Sequence, residues 1–152
     1  MGRRSHCNIS LLLLLLFSVL VSMGASYLVT VHVQNNIGDE IYLDTRCRSD
    51  DYELGQRMLG EGEEWNWEFR AIEGYSHFWC YFRWYDDRER IWYSGDFNVY
   101  HASGLFNSYI QKCRHNCVWS ANRQGFFLYR VDWQQWQQTD EWSIDSIGNK
   151  TI

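Results

Sequence analysis

Phe78-Trp79-Cys80-Tyr81-Phe82-Arg83-Trp84 decides how this chain is read. At a period of two it places Phe78, Cys80, Phe82 and Trp84 on one face and Trp79, Tyr81 and Arg83 on the other. Aromatic side chains on both faces around a cysteine predict a strand in the middle of a sheet, covered on both sides. The rest of the chain is expected to wrap this strand and to be stapled to it through Cys80. Such a strand is first of all core, so function is sought elsewhere.

Upstream, the chain starts with the basic pair Arg3-Arg4, runs apolar from Ile9 to Val21 apart from Ser10 and Ser18, and leaves through Gly24-Ala25-Ser26. That order predicts a secretory signal peptide over 1–26, too short for a membrane span. Of the 152 residues, 126 would remain, enough for one soluble, exported domain. Losing Arg3 and Arg4 would move the net charge from −5 to −7. An acidic surface excludes nucleic acid and anionic membranes as partners. A monomer is expected, with no insertion into membrane.

Cys7 would leave with the signal. Cys47, Cys80, Cys113 and Cys117 remain, an even number in an oxidising compartment, and predict two disulfides. Spacing leaves three pairings open. The expectation taken forward is that Cys113 and Cys117 bond different strands, reaching Cys47 and Cys80.

Alternation predicts strands at Val29–Gln34 and Ile41–Cys47, joined as a hairpin by the turn residues Asn35-Asn36-Ile37-Gly38-Asp39. Arg48 to Gly55 is polar, acidic and aperiodic, a loop. Trp65, Trp67 and Phe69 mark a third strand, and Ile91 to Tyr100 a fifth with Gly95 as a bulge. His101 to Lys112 is a looser connection. A last hairpin turns at Asn122-Arg123-Gln124-Gly125. About seven short strands without a helical stripe predict an all-β fold, an antiparallel β-sandwich over 27–133. The tail 134–152 carries Trp136 and Trp142. Trp133 and Trp136 could share a helix face, or Trp133 could end the last strand, and disorder is expected beyond Trp142. Asn149-Lys150-Thr151 is an N-glycosylation sequon.

The order of these motifs is similar to that of the plant self-incompatibility protein family, the S-protein homologues. It runs from a strand-borne Cys47 through Arg48-Ser49-Asp50-Asp51 and Leu54-Gly55 to Trp65-Asn66-Trp67-Glu68-Phe69. The Phe78–Trp84 strand, Phe97-Asn98-Val99-Tyr100 and Cys113-x3-Cys117-x-Trp119 follow. The resemblance covers Val29 to Tyr129. Arg46-Cys47 stands where the family has His-Cys, and Asp51-Tyr52-Glu53-Leu54-Gly55 where it has Asp-Asp-Leu-Gly. The resemblance implies a small secreted plant protein, a β-sandwich with two disulfides, recognised by a cell-surface receptor. In a few members that recognition triggers rejection of self pollen.

Catalysis is not expected. His101 and His115 with Lys112 could be drawn as a nuclease pair, but an acidic surface repels a polyanionic substrate. Cys113-Arg114-His115-Asn116-Cys117 could be half a zinc site, but export favours disulfides. The acids of 50–53 and 86–89 lack the spacing of a calcium loop. No catalytic residue, cofactor or metal is therefore assigned. Recognition is expected in two charged loops, at Arg48, Asp50, Asp51 and Glu53 and at Asp86, Asp87 and Arg88, because loops on a rigid sandwich vary without cost to the core. Surplus rings such as Trp79, Tyr81 or the tail tryptophans support a second expectation, a carbohydrate-binding, lectin-like module.

Overall fold

Among the described residues, alternating apolar side chains give ten strands and one short helix. The structure is a computed structural model that describes residues 26–102 and 109–145. The signal-like segment before Ser26 and the sequon at Asn149 lie outside the described residues.

The strands are β1 (Ser26–Asn35), β2 (Leu43–Ser49), β3 (Glu53–Leu59), β4 (Glu64–Ile72), β5 (His77–Asp86) and β6 (Ile91–His101). Helix α1 (Tyr109–Cys113) follows, then β7 (Asn116–Asn122), β8 (Gly125–Arg130), β9 (Gln135–Asp140) and β10 (Ser143–Asp145). They form two five-stranded sheets, ordered β4-β1-β7-β8-β9 and β10-β6-β5-β2-β3. All neighbours pair antiparallel except β1 with β7, which run parallel. The all-β sandwich is as expected from the alternation, with three more strands than counted.

The Phe78–Trp84 strand is the centre of its sheet, and Phe78, Cys80, Phe82 and Trp84 are buried. Its second face is not covered, contrary to expectation: Tyr81 is 40% exposed. Only one face of each sheet meets the other sheet, so rings pointing outward have no second sheet over them.

Between the sheets, Val29, Val31 and Val33 of β1 and Trp119 of β7 face an aromatic layer. Phe82 and Phe126 sit with ring centroids 4.7 Å apart, Phe126 stacks on Trp119 at 4.8 Å, and Phe69 meets Phe78 at 4.2 Å. Such ring pairs contribute about 0.5–1.5 kcal/mol each beyond the area they bury. The Trp119 indole donates to the Val99 carbonyl 2.9 Å away, a polar link from one sheet to the other.

The first turn corrects the predicted hairpin. β1 and β2 lie in different sheets, and the turn between them is an arch. Buried Asn35 makes this possible by donating to the carbonyls of Ile41 and Leu59 at 2.7 and 2.9 Å. The Gly38, Asp39 and Glu40 backbones take positive φ to complete the crossing. Turn residues announce a reversal, but not whether the returning strand pairs or crosses.

The cysteine pairing is also corrected: Cys47 bonds Cys80, and Cys113 bonds Cys117. Cys47 and Cys80 are directly opposite on adjacent β2 and β5, with Cα atoms 4.1 Å apart. α1 ends at Cys113 and the chain reverses through Arg114 at positive φ, returning Cys117 to 4.8 Å. Neither bond joins the two sheets.

Three other expectations move. The predicted loop Arg48–Gly55 shrinks to a turn at Ser49–Tyr52, because Glu53 begins β3 and pairs with Arg48. The bulge falls at Val99 instead of Gly95, since Phe78 pairs with Tyr100 and Trp79 with Asn98. The tail belongs to the sandwich as far as Asp145. Trp136 is on strand β9, not on a helix, and β9 and β10 close one side by joining opposite sheets. Between them Trp142 enters the core beside Phe97 at 5.3 Å and donates to the Asn122 carbonyl at 2.6 Å.

Candidate functional site

The outward face of the β10-β6-β5-β2-β3 sheet carries the residues that the core does not use. Along β5 they are His77, Trp79, Tyr81, Arg83 and Tyr85, every second position of the strand. Across from them β6 supplies His101, Asn98, Asp96, Ser94 and Trp92, and β2 supplies Arg48, Arg46 and Asp44.

Cations and rings are layered over this face. The Arg48 guanidinium lies 5.0 Å from the Trp79 ring centre, and that of Arg83 4.2 Å from Trp92. The His77 ring lies tilted between Trp79 at 4.7 Å and His101 at 4.8 Å, and its Nε2 is 2.6 Å from Asn98 Oδ1. Arg83 is held by Asp145 at 3.2 Å, while Gln56 bridges Arg46 and Asp44. These contacts fix rings that would otherwise swing in solvent. A rigid aromatic surface loses little side-chain entropy on binding.

Three hollows open along or beside the strip. One of about 300 Å³ lies at the start of β5 and reaches across to the other sheet, where β4 adds Glu68, Phe69 and Arg70 to a lining of Asp50, Asp51, Tyr52, Tyr75 and His77. A middle hollow of about 220 Å³ is formed by Arg46, Arg48, Trp79, Tyr81 and Asp96. The third, again about 300 Å³, lies at the far end and includes Tyr42, Met58, Tyr85, Asp87 and Trp92.

The two predicted recognition loops therefore border the same face but lie at opposite ends of it. β5 has ten residues, which separates its ends by about 30 Å. In the first loop exposed Asp50 approaches half-buried His77 at 3.8 Å, and Arg48 faces Glu53 at 3.9 Å, both exposed. In the second, Asp87 is exposed, but Asp86 is only 1% exposed and is structural.

Asp86 corrects the expectation that this loop varies freely. Its carboxylate accepts the backbone N–H groups of Arg88 and Glu89 at 2.9 and 3.1 Å and is also paired with the Arg123 guanidinium. Arg123 reaches Asp39 at 2.6 Å, and Arg88 reaches the same carboxylate at 3.0 Å. One network thus ties three turns together. The Glu89 amide, then Arg123, hold the Asp86 carboxyl below the usual carboxylate range. Reading charge in a turn as freely variable missed this, because only the tertiary structure brings Arg123 to it.

The imagined nuclease pair is not assembled. His101 lies tilted against His77, while His115 Nδ1 is 2.9 Å from the Leu28 carbonyl on the other sheet. Lys112 lies over Tyr109, and both cysteines beside His115 are in a disulfide. Arg46, Arg83, Tyr42, Tyr85, Met58 and Trp92 were not singled out as site residues. The period-two pattern of β5 and β6 carried Arg83, Tyr85 and Trp92, and that of the second strand carried Tyr42 and Arg46, but alternation alone does not tell which face is solvated.

The geometry defines a small disulfide-bonded β-sandwich with one aromatic, charged outer face. The chain belongs to the plant self-incompatibility protein S1 family, whose model matches residues 30–142. It is similar to S-protein homolog 2 of Arabidopsis thaliana, 30% identical over 119 residues, covering 75% of this chain and 68% of that protein. S-protein homolog 3 of the same plant is 32% identical over 98 residues, which cover 62% and 59% of the two chains. The fold matches a solved structure of SPH (Self-Incompatibility Protein Homologue) proteins, described as small, highly stable, secreted proteins from plants. That match has a TM-score of 0.55 at 15% identity and covers 78% of this chain and 96% of the other.

Proposed function

We propose that this chain is a secreted ligand that binds a cell-surface receptor protein through the outer face of the β5-centred sheet and the turns at its two ends. The observation that carries this reading is the outward row of half-buried Trp79 and Trp92, each held by an arginine, with exposed Tyr81 between them, backed by a buried face and the Cys47–Cys80 bond. Aromatic and arginine side chains are those that dominate protein–protein binding energy. Export is supported by the signal-like first 26 residues, the two disulfides and the secreted relatives. Rejection of self pollen is one role such a ligand would serve, and another cell–cell signal is equally compatible with the face.

The test uses full-length chain expressed through the secretory pathway, purified and labelled, on living plant protoplasts. Saturable binding that is abolished by prior surface proteolysis, and weakened at least tenfold by Tyr81→Asp, is the expected result. Binding that survives proteolysis and is competed by soluble wall polysaccharide would instead establish the lectin-like reading. That second reading is favoured by Trp133 and Trp136, exposed among glutamines on and beside β9.

A further inference from the structure

The hollow at the far end of the strip differs in chemistry from the other two. Its floor is apolar and open: Tyr42 is 64% and Met58 58% exposed, and Tyr85 and Trp92 pack beside them with ring centres 4.9 Å apart. Large side chains left to solvent together in one concavity mark an interaction surface more often than scattered ones do. Its rim is acidic, with Asp39, Glu40, Asp44 and Asp87 in the lining.

Internal pairing leaves part of that charge unspent. Asp39 is engaged by Arg88 and Arg123, and Asp44 accepts from Gln56 at 2.6 Å. Glu40 and Asp87 have no ion-pair partner among the described residues. The one cation in the lining, Arg83, is occupied by Asp145 and by the ring of Trp92. A volume of about 300 Å³ with such a floor and rim is complementary to a basic side chain and one apolar neighbour. The aliphatic stem would lie on Tyr42, Met58 and Tyr85, and its charged head would meet Glu40 and Asp87. The net charge of −5 favours approach of a basic partner to the whole molecule.

The geometry points to this hollow as the docking point for a basic segment of a partner protein, one that presents lysine or arginine beside a large apolar residue. The inference rests on the receptor reading above only for the identity of the protein carrying that segment.

The experiment is a titration of the isotopically labelled full chain, followed by NMR, with N-acetyl-Leu-Arg-Lys-Leu-amide and its acidic counterpart N-acetyl-Leu-Glu-Asp-Leu-amide. Saturable shifts at the Trp92 indole N–H and the Met58 methyl, with the basic peptide only, are expected. They should weaken as salt is raised, because the rim carboxylates are exposed. Glu40→Lys/Asp87→Lys should weaken the peptide at least tenfold, whereas Arg114→Glu, at the exposed turn before β7 and outside the hollow, should not weaken it. Should the charge variant misfold, which its amide spectrum reports directly, Tyr42→Ser repeats the test from the floor. Equal response to the acidic peptide, shifts centred elsewhere, or none at millimolar peptide overturns the inference. Peptide binding without protoplast binding keeps the hollow and removes the receptor; protoplast binding without peptide binding does the reverse.

Discussion

Gly95 sits on the inner face of β6 opposite Phe82, and the ring of Phe97, two residues on, folds back over it. A Cβ added at Gly95 would lie within that ring. Phe97 cannot simply step aside, since it stacks on Phe126 at 5.2 Å and meets Trp142 at 5.3 Å. Overpacking of this kind costs about 1–3 kcal/mol, so Gly95→Ala should lower the urea midpoint by that equivalent. An unchanged midpoint would mean that the ring has another place to go. The glycine was legible in the sequence as an irregularity, yet its cause is a ring packing and not a bulge. Arginines show the same limit: Arg130 is buried because Asp132 takes it through two oxygens at 2.6 and 2.8 Å while Trp133 stacks on it at 3.9 Å.

Elements show the clearest gap between a motif and its use. Four cysteines announced two bonds, but the partners depended on which strands became neighbours, and Cys47 met Cys80 because β2 lies beside β5. The two bonds close chain segments of very different length, with sequence separations of 33 and 4. On the loop-entropy relation this corresponds to about 4 kcal/mol for Cys47–Cys80 and about 2 kcal/mol for Cys113–Cys117. Paired alanine substitutions of each bond, compared by equilibrium unfolding, should therefore rank in that order. The reverse ranking would show that the short loop carries native packing beyond its entropy. β9 and β10 escaped the sequence reading because Gln135–Asp140 has Trp136 as its single apolar residue and β10 is three residues long, which leaves alternation nothing to detect. They are edge strands, held by backbone pairing to β8 and β6.

Over the whole molecule, the carboxylates Glu64, Asp86 and Asp132 all ionise more readily than usual. The first cause is the His32 hydrogen bond for Glu64, the Glu89 amide for Asp86 and the Arg130 hydrogen bond for Asp132. A lowered folded pKa means that the native state binds fewer protons than the unfolded chain, so stability rises with pH across this range. The contribution is complete above the unfolded carboxyl values and is lost as pH falls below about 4. Thermal unfolding should show a plateau near neutrality and a decline beneath that point. Asp86→Asn should start lower and decline less steeply; a decline equal to that of the parent would remove Asp86 from the acid response. The same design explains the free outer face: core packing, turn network and disulfides hold the sheet from behind and at its ends.

By itself the sequence determined the strand period, the all-β class, the presence of two disulfides and the family resemblance. Each is local, set by side-chain alternation or by residue types in order. Only the tertiary structure decided that β1 arches away from β2, which cysteines meet, that Asp86 is structural and that the outer rings lie open in one row. Those features depend on which strands become neighbours, and that choice is made by burial of both inner faces at once.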